Sequence, residues 1–283
     1  MVEIQKRMRI LFAVFVCIVI FLMGSMFRNF DSIVSSFVMT FILFIGFAIL
    51  WTMMSKQLTR LYRERIIRVA LEETFDHFVY EPEQGFSKQT IYDTNLFPKG
   101  NTYTSSDLVR LQLNGNTIEI ADVKIEDVTT DDNGTHVSTY FTGKWMMMKS
   151  KKPIESKLYI IDRDNRNSRP KGWLFKGKEL EKVSMESIAF NKQFTVYASN
   201  PHDAFYVLTP QVIQGVINLD DHNLSVYQDK DKTHVAASGS KPFVNVTIFS
   251  NLDEINERNR VKQQFETILE FIKFYGIESE GES

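Results

Sequence analysis

Two uncharged runs near the N-terminus limit this chain more than any other feature. ILFAVFVCIVIFLMGSMF (Ile10–Phe27) has 18 residues and IVSSFVMTFILFIGFAILWTMM (Ile33–Met54) has 22. As a helix rising ~1.5 Å per residue, the first reaches ~27 Å, close to the ~30 Å hydrocarbon core of a bilayer. Ser35, Ser36, Thr40 and Thr52 are tolerable in the second run, because hydroxyls bond back to helix carbonyls. Soluble cores seldom hold uncharged runs this long. A cleaved signal peptide would have a basic start, as here, but no small-residue cleavage site follows and a second span does.

Only RNFDS (Arg28–Ser32) separates the runs, so they are expected to form a helical hairpin. Arg28 and Asp31 cancel within that link. Lys6, Arg7 and Arg9 precede the hairpin, and Lys56, Arg60, Arg63, Arg65 and Arg68 follow it. The positive-inside rule then places both termini in the cytoplasm of a multi-pass protein of the cell membrane. Cys17 is the one cysteine and lies inside the first run. This excludes an intramolecular disulfide, a CxxC motif and a thiolate metal cluster. Formal net charge is -2, which by itself selects no partner.

Beyond the spans, Ser55–Tyr80 has helical spacing, with Leu58, Tyr62, Ile66 and Ala70 along one face. A juxtamembrane helix is expected over 55–80, its basic residues meeting lipid phosphates. The period then changes to two. LVRLQL (Leu108–Leu113) and TIEIADVKIEDV (Thr117–Val128) alternate around Asn114-Gly115, a type I′ hairpin signal. THVSTYFTGKWMMM, SKLYIID, QFTVYAS, LSVYQ, THVAAS and PFVNVTIF (Pro242–Phe249) read as further strands. The segment after Asn251 reads as a helix capped by Gly276, followed by an acidic tail. The expected fold is membrane-anchored α+β: a hairpin at 1–54, the helix at 55–80, and a largely antiparallel cytoplasmic domain at 81–276. That domain is expected to carry a helix near 201–219, and it divides, if at all, near 163–182.

FNKQFTVYASNPHDAFYVLTP (Phe190–Pro210) holds the densest group of catalytic-looking side chains: Asn200, His202, Asp203 and Tyr206. Helix initiation accounts for most of them. Asn200 suits an N-cap, Pro201 the first helical position and Asp203 the positive end of the dipole. His202 and Asp203 would point ~100° apart on a helix, too far for a tight pair.

Several blocks resemble one family in order: FVYEPEQGF, TYTSSDLV, IEIADVKIE, FTGKWMMM and AFNKQFTVYASNPHDAFYVLTPQVIQGV. This is a family of bacterial membrane proteins known as domain of unknown function 3137 (DUF3137). The resemblance runs from about Tyr62 to Lys273. It implies two N-terminal spans, a helix and an α+β region, and no catalytic residue. After FTG the family pattern suggests an apolar or aromatic strand, whereas KWMMMKSKK is more basic.

The chain carries no HxH or HExxH spacing and no Gly-rich phosphate loop, and its five histidines are scattered. DRD (Asp162–Asp164) and LDDHN (Leu219–Asn223) read as turns before they read as metal or catalytic sites. No cofactor is expected. The informative stretch runs from Lys144 to Lys182, with twelve basic residues against five acidic. Within it, Lys144, Trp145, Lys149, Lys151, Lys152, Arg163, Arg166, Arg169 and Lys171 are the candidate lipid- or partner-binding residues. Beside an anionic leaflet each basic residue is worth roughly 1 kcal/mol. No nucleic-acid module accompanies the charge, so nucleic acid is not an expected partner. The leading expectation is a membrane-anchored interaction or scaffold module with a protein partner and no catalytic signature. The alternatives are binding of anionic lipid through the basic stretch, and an enzyme acting on an envelope or lipid-linked substrate.

Overall fold

The computed structural model describes residues 1–26, 33–113, 115–132, 134–164, 180–218, 223–249 and 252–275. They fall into two compact units: Met1–Leu71 with Val244–Val261, and Glu72–Phe243 with Lys262–Ser283.

In the first unit, α1 (Val2–Met26) and α2 (Ile33–Tyr62) pair, with the rings of Phe15 and Phe47 stacked 4.0 Å apart. Both are long and apolar enough to cross a membrane. Their large apolar side chains point outward, Phe21 being 75% exposed and Phe41 66%. The helix does not pause at the expected boundary near residue 55. It runs on through a π-helical turn at Arg63–Ile67 into α3 (Arg68–Glu72), with neighbouring Ile66 and Ile67 both buried. Such wide turns occur mostly as single insertions in α-helices.

Two expectations are corrected by tertiary contacts. The helix expected to reach Tyr80 ends at Glu72, and Phe78–Glu81 is β1, paired with Leu108–Leu111. The hydroxyl of Tyr80 donates to buried Asp107 at 2.6 Å, which anchors the strand. PFVNVTIF is not a strand. Its backbone oxygens serve α1 instead: Thr247 O accepts from Gln5 Nε2 and Ile248 O from Arg9 Nε, each at 2.7 Å. Side chains supply the partners that a ladder would otherwise have to provide.

The second unit is built on one nine-stranded antiparallel sheet. In chain order its strands are β1, β2 (Thr102–Leu113), β3 (Asn116–Asp131), β4 (Gly134–Lys149), β5 (Lys157–Asp162), β6 (Glu181–Val183), β7 (Phe194–Ala198), β8 (Asn223–Asp229) and β9 (Lys232–Ser238). Across the sheet they lie in the order β1-β2-β3-β4-β9-β8-β5-β7-β6. β1 to β4 follow one another as antiparallel neighbours, whereas β5, next in the chain, lies between β8 and β7, and pairing of β4 with β9 joins the two groups. β2 begins earlier than its alternation suggested, because a bulge at Asp107 (φ 60°) reverses the phase between Ser106 and Val109.

α4 (Lys88–Asp93) lies between β1 and β2 in the chain, with Ser87 as its N-cap. Tyr159 on β5 donates to Thr94 O just beyond it at 3.2 Å. Phe97, Phe141, Trp145, Tyr159 and Tyr227 are packed into one apolar cluster there. The later part of α8 (Glu254–Tyr275) packs through Phe265, stacked on Phe243 at 5.0 Å, and through Tyr275, whose hydroxyl donates to Gln228 at 3.3 Å. The helix expected near 201–219 is two helices, α6 (Pro201–Val207) and α7 (Pro210–Asn218), each opening on its own proline. α5 (Ile188–Gln193) precedes them.

Candidate functional site

The Phe190–Pro210 stretch behaves as a helix start. Asn200 Oδ1 accepts from the His202 backbone N–H at 3.2 Å, Pro201 is the first helical residue, and Asp203 accepts from Ser156 Oγ at 2.5 Å. Asp162 of DRD is buried, and its Oδ1 accepts from the Asp164 N–H at 2.8 Å, as in a turn. Leu219–His222 lie outside the described residues.

Among the described residues the basic stretch does not form one surface. Side chains alternate along β4, so Lys144 and Trp145 point to opposite faces, and both are interior. The Lys144 ammonium bonds the Asp122 carboxylate and sits 3.3 Å from the centre of the Phe243 ring. Asp122 Oδ2 also accepts from the Phe243 N–H at 2.7 Å. Trp145 has no exposed surface. Neither residue can meet a lipid head group from these positions, which corrects their place among the surface candidates. Lys149 and Lys151 are exposed. Lys152 donates to Tyr206 O at 3.0 Å and lies 5.5 Å over the Tyr206 ring. Arg163 is exposed, its Nε donating to Thr195 Oγ1 at 3.2 Å. Arg166, Arg169 and Lys171 lie outside the described residues.

Lys149 belongs to a different grouping, set by strand register. It stands opposite Lys232, which stands opposite Asp229, which stands opposite Lys157. Residues directly opposed in a sheet share a face. The end of four strands is therefore edged by three lysines and one aspartate. One row inward on the same face come Met147, His234, Tyr227 and Tyr159. From these two rows Met147, Lys157, Tyr227, Asp229, Lys232 and His234, with Thr90, Asp93 and Thr94 from α4 and its end, line a cleft of about 460 Å³. The turn residues Lys230 and Asp231 complete its rim.

Chemistry in the cleft centres on His234. Its Nδ1 lies 3.2 Å from Trp145 Nε1. An indole N–H can only donate, so Nδ1 must be the unprotonated nitrogen and Nε2 carries the hydrogen. The ring lines the cleft, and Nε2 is the polar atom left to face it. Burial pushes the imidazole pKa down to about 4; nearby Lys232 adds to the shift and Asp229 opposes it. Tyr227 is pushed well above the ordinary phenol range, first by burial and then by neighbouring Tyr159 and Asp229. It keeps its proton and donates to Asp229 Oδ2 at 3.1 Å. The cleft thus offers an N–H donor that is neutral at ordinary pH, on a rim where Lys157, Lys230 and Lys232 are matched by Asp93, Asp229 and Asp231. Among the described residues no group of three or more His, Cys, Asp or Glu is arranged to hold a metal ion.

Lys157, Tyr227, Lys232, His234 and Asp93 were not among the sequence candidates. The alternation in LSVYQD and KTHVAAS does put Tyr227 with Asp229, and Lys232 with His234, on one face of each strand. Their assembly with Lys149 and Lys157 depends on a register that no local pattern encodes.

Residues 139–275 match the sequence family described as Protein of unknown function (DUF3137), which bears out the resemblance from β4 through α8. No curated protein matches the chain. Among solved structures, the crystal structure of the mycobacterial trehalose monomycolate transport factor A is similar at 15% identity and a TM-score of 0.40. That likeness covers 75% of this chain and 94% of the other, and it is too distant to carry an argument.

Proposed function

We propose, starting from the match of residues 139–275 to DUF3137, that the chain is a membrane-anchored interaction module whose sheet domain meets its partners in the cytoplasm. One observation carries the anchor: two long helices present their large apolar side chains outward, Ile20 at 63%, Phe21 at 75%, Phe41 at 66% and Ile42 at 63% exposure. Water would not tolerate such a surface, whereas a bilayer matches it. The orientation rests on Lys6, Arg7 and Arg9 before the hairpin and the five basic residues after it. A topology reporter fused after Ser283 is expected to read as cytoplasmic, and an external reading would overturn the placement. In-cell crosslinking of the full chain is expected to yield one near-stoichiometric protein partner.

A second reading has its own observation. Phe205 and Tyr206 on α6 are 50% and 53% exposed, and Lys152 contacts Tyr206. Aromatic rings beside lysine suit the interface of an anionic membrane. With an environment-sensitive dye at Phe205→Cys, the full chain in anionic nanodiscs is expected to show a blue shift that raised salt reverses. An identical spectrum in neutral nanodiscs would exclude this contact.

A further inference from the structure

VNVTIF (Val244–Phe249) carries no charge and belongs to the same compact unit as the two apolar helices. It runs beside the start of α1 in matching order. Gln5 Nε2 donates to Thr247 O, Arg9 Nε donates to Ile248 O, and the Phe249 ring meets Phe12 edge-on with centroids 6.0 Å apart. Each step along the segment therefore moves toward the apolar run that begins at Ile10. Helical spacing puts Gln5, Met8 and Phe12 on one face of α1. Gln5 and Met8 are buried, whereas Phe12 is 40% exposed. Protein cover on that face thins where the apolar run starts, and Phe249 stands at this border, 68% exposed.

Phe12 also lies 6.1 Å from Trp51 of α2, so rings from three segments gather at one level of the hairpin. Tryptophan is enriched where hydrocarbon meets head groups, which marks that level as the interface. Irregular backbone is tolerated near the hydrocarbon only when protein satisfies its polar groups. The carbonyls of Thr247 and Ile248 have such partners in Gln5 and Arg9.

We propose that Phe249 is a third membrane contact, its ring set at the boundary between head groups and acyl chains of the leaflet where α1 begins. The occupant of this surface is the bilayer itself, because the ring continues the outward-facing apolar surface of the hairpin at Phe12. VNVTIF has no charge to select a head group and none for salt to screen. The inference rests on the anchoring reading above and adds to it a point of contact far along the chain from both spans.

The test reads single-cysteine dyes on the full chain, labelled in detergent and moved into nanodiscs, against spin-labelled lipids that quench at the depth of their label. Native Cys17, exposed within the first run, reports on the hairpin. Phe249→Cys and Asn245→Cys, each combined with Cys17→Ser, report on the segment. The Cys17 dye is expected to lose most emission to labels at the acyl-chain end, and the Phe249→Cys dye to labels near the head group. The Asn245→Cys dye is expected to lose none, because Asn245 is exposed and precedes Thr247, which is already level with Gln5 outside the apolar run. The same ranking is expected in neutral lipid and at raised salt. Phe249→Trp keeps a ring against Phe12, and its added emission is expected to be quenched by brominated lipid. Quenching at Cys17 with none at Phe249→Cys and none added in Phe249→Trp would overturn this contact and leave the anchor standing. No quenching at any position would overturn both readings.

Discussion

Trp145 Nε1 donates to His234 Nδ1 across 3.2 Å, and that bond sets the protonation of a histidine in which burial already disfavours charge. The folded value of about 4 lies below the ordinary 6.5. Between those values the unfolded chain binds a proton that the folded chain does not. Stability from this group is therefore complete above pH 6.5 and declines as the pH falls toward 4. The full span corresponds to about 3 kcal/mol. His234→Asn keeps an acceptor for Trp145 but does not titrate. Denaturant midpoints of the two proteins from pH 7 to 4 are expected to converge, with the wild type falling faster. Parallel curves would show that His234 is not the titrating group.

The Asp122–Lys144 pair predicts strong non-additivity. Lys144 is buried and the Asp122 side chain is 15% exposed; burial pushes the Asp122 carboxyl above the usual carboxylate range while Lys144 pulls it back. Lys144→Met leaves Asp122 charged and unpaired, at a cost of about 3–5 kcal/mol. Adding Asp122→Asn removes that charge and keeps an oxygen for the Phe243 N–H. The double variant is expected to recover most of the loss in equilibrium unfolding. Equal instability of the single and double variants would mean that packing on Phe243, not charge, dominates.

Gly143 marks a close approach of two strands. A Cβ there would sit 2.0 Å from the Ala237 carbonyl oxygen, a backbone atom with little freedom to retreat. Gly143→Ala is expected to destabilise by about 1–3 kcal/mol, in the range of overpacked sites. Amide hydrogen exchange should rise first in β9. A neutral substitution would show that the β4–β9 edge can spread.

Asn200 separates the capping role from a catalytic one. Asn200→Ala removes the acceptor for the His202 N–H and is expected to cost about 1 kcal/mol of stability. Asn200→Ser supplies another capping oxygen and is expected to restore it. A loss of partner or ligand binding in Asn200→Ser at full stability would contradict the helix-start reading.

The features legible in the chain were those whose cause is local. Two uncharged runs, the alternation of TIEIADVKIEDV and the Asn200-Pro201 cap act through neighbours a few residues away, so periodicity and capping chemistry suffice to read them. The misread segments are those where a distant partner decides. Phe78–Glu81 has apolar residues compatible with helix or strand, and pairing with β2 selects strand. Pro242–Phe249 has strand-like residues, but α1 side chains take its carbonyls.

The candidate site divides the same way. Charge density picked out the stretch beginning at Lys144, yet composition cannot say which lysine is interior. Lys144 is buried because Asp122, on the neighbouring strand, and Phe243, almost a hundred residues on, enclose it. Lys149 acquires its setting from Lys232, and His234 its tautomer from Trp145. By itself the sequence determined the two long apolar helices, the alternation of strands such as TIEIADVKIEDV and the Asn200 cap, because those follow from the spacing of adjacent residues. Only the tertiary structure decided the register of β4, β9, β8 and β5, and with it the cleft. Register is chosen by the summed packing of whole strands, and it brings together side chains that the chain itself keeps far apart.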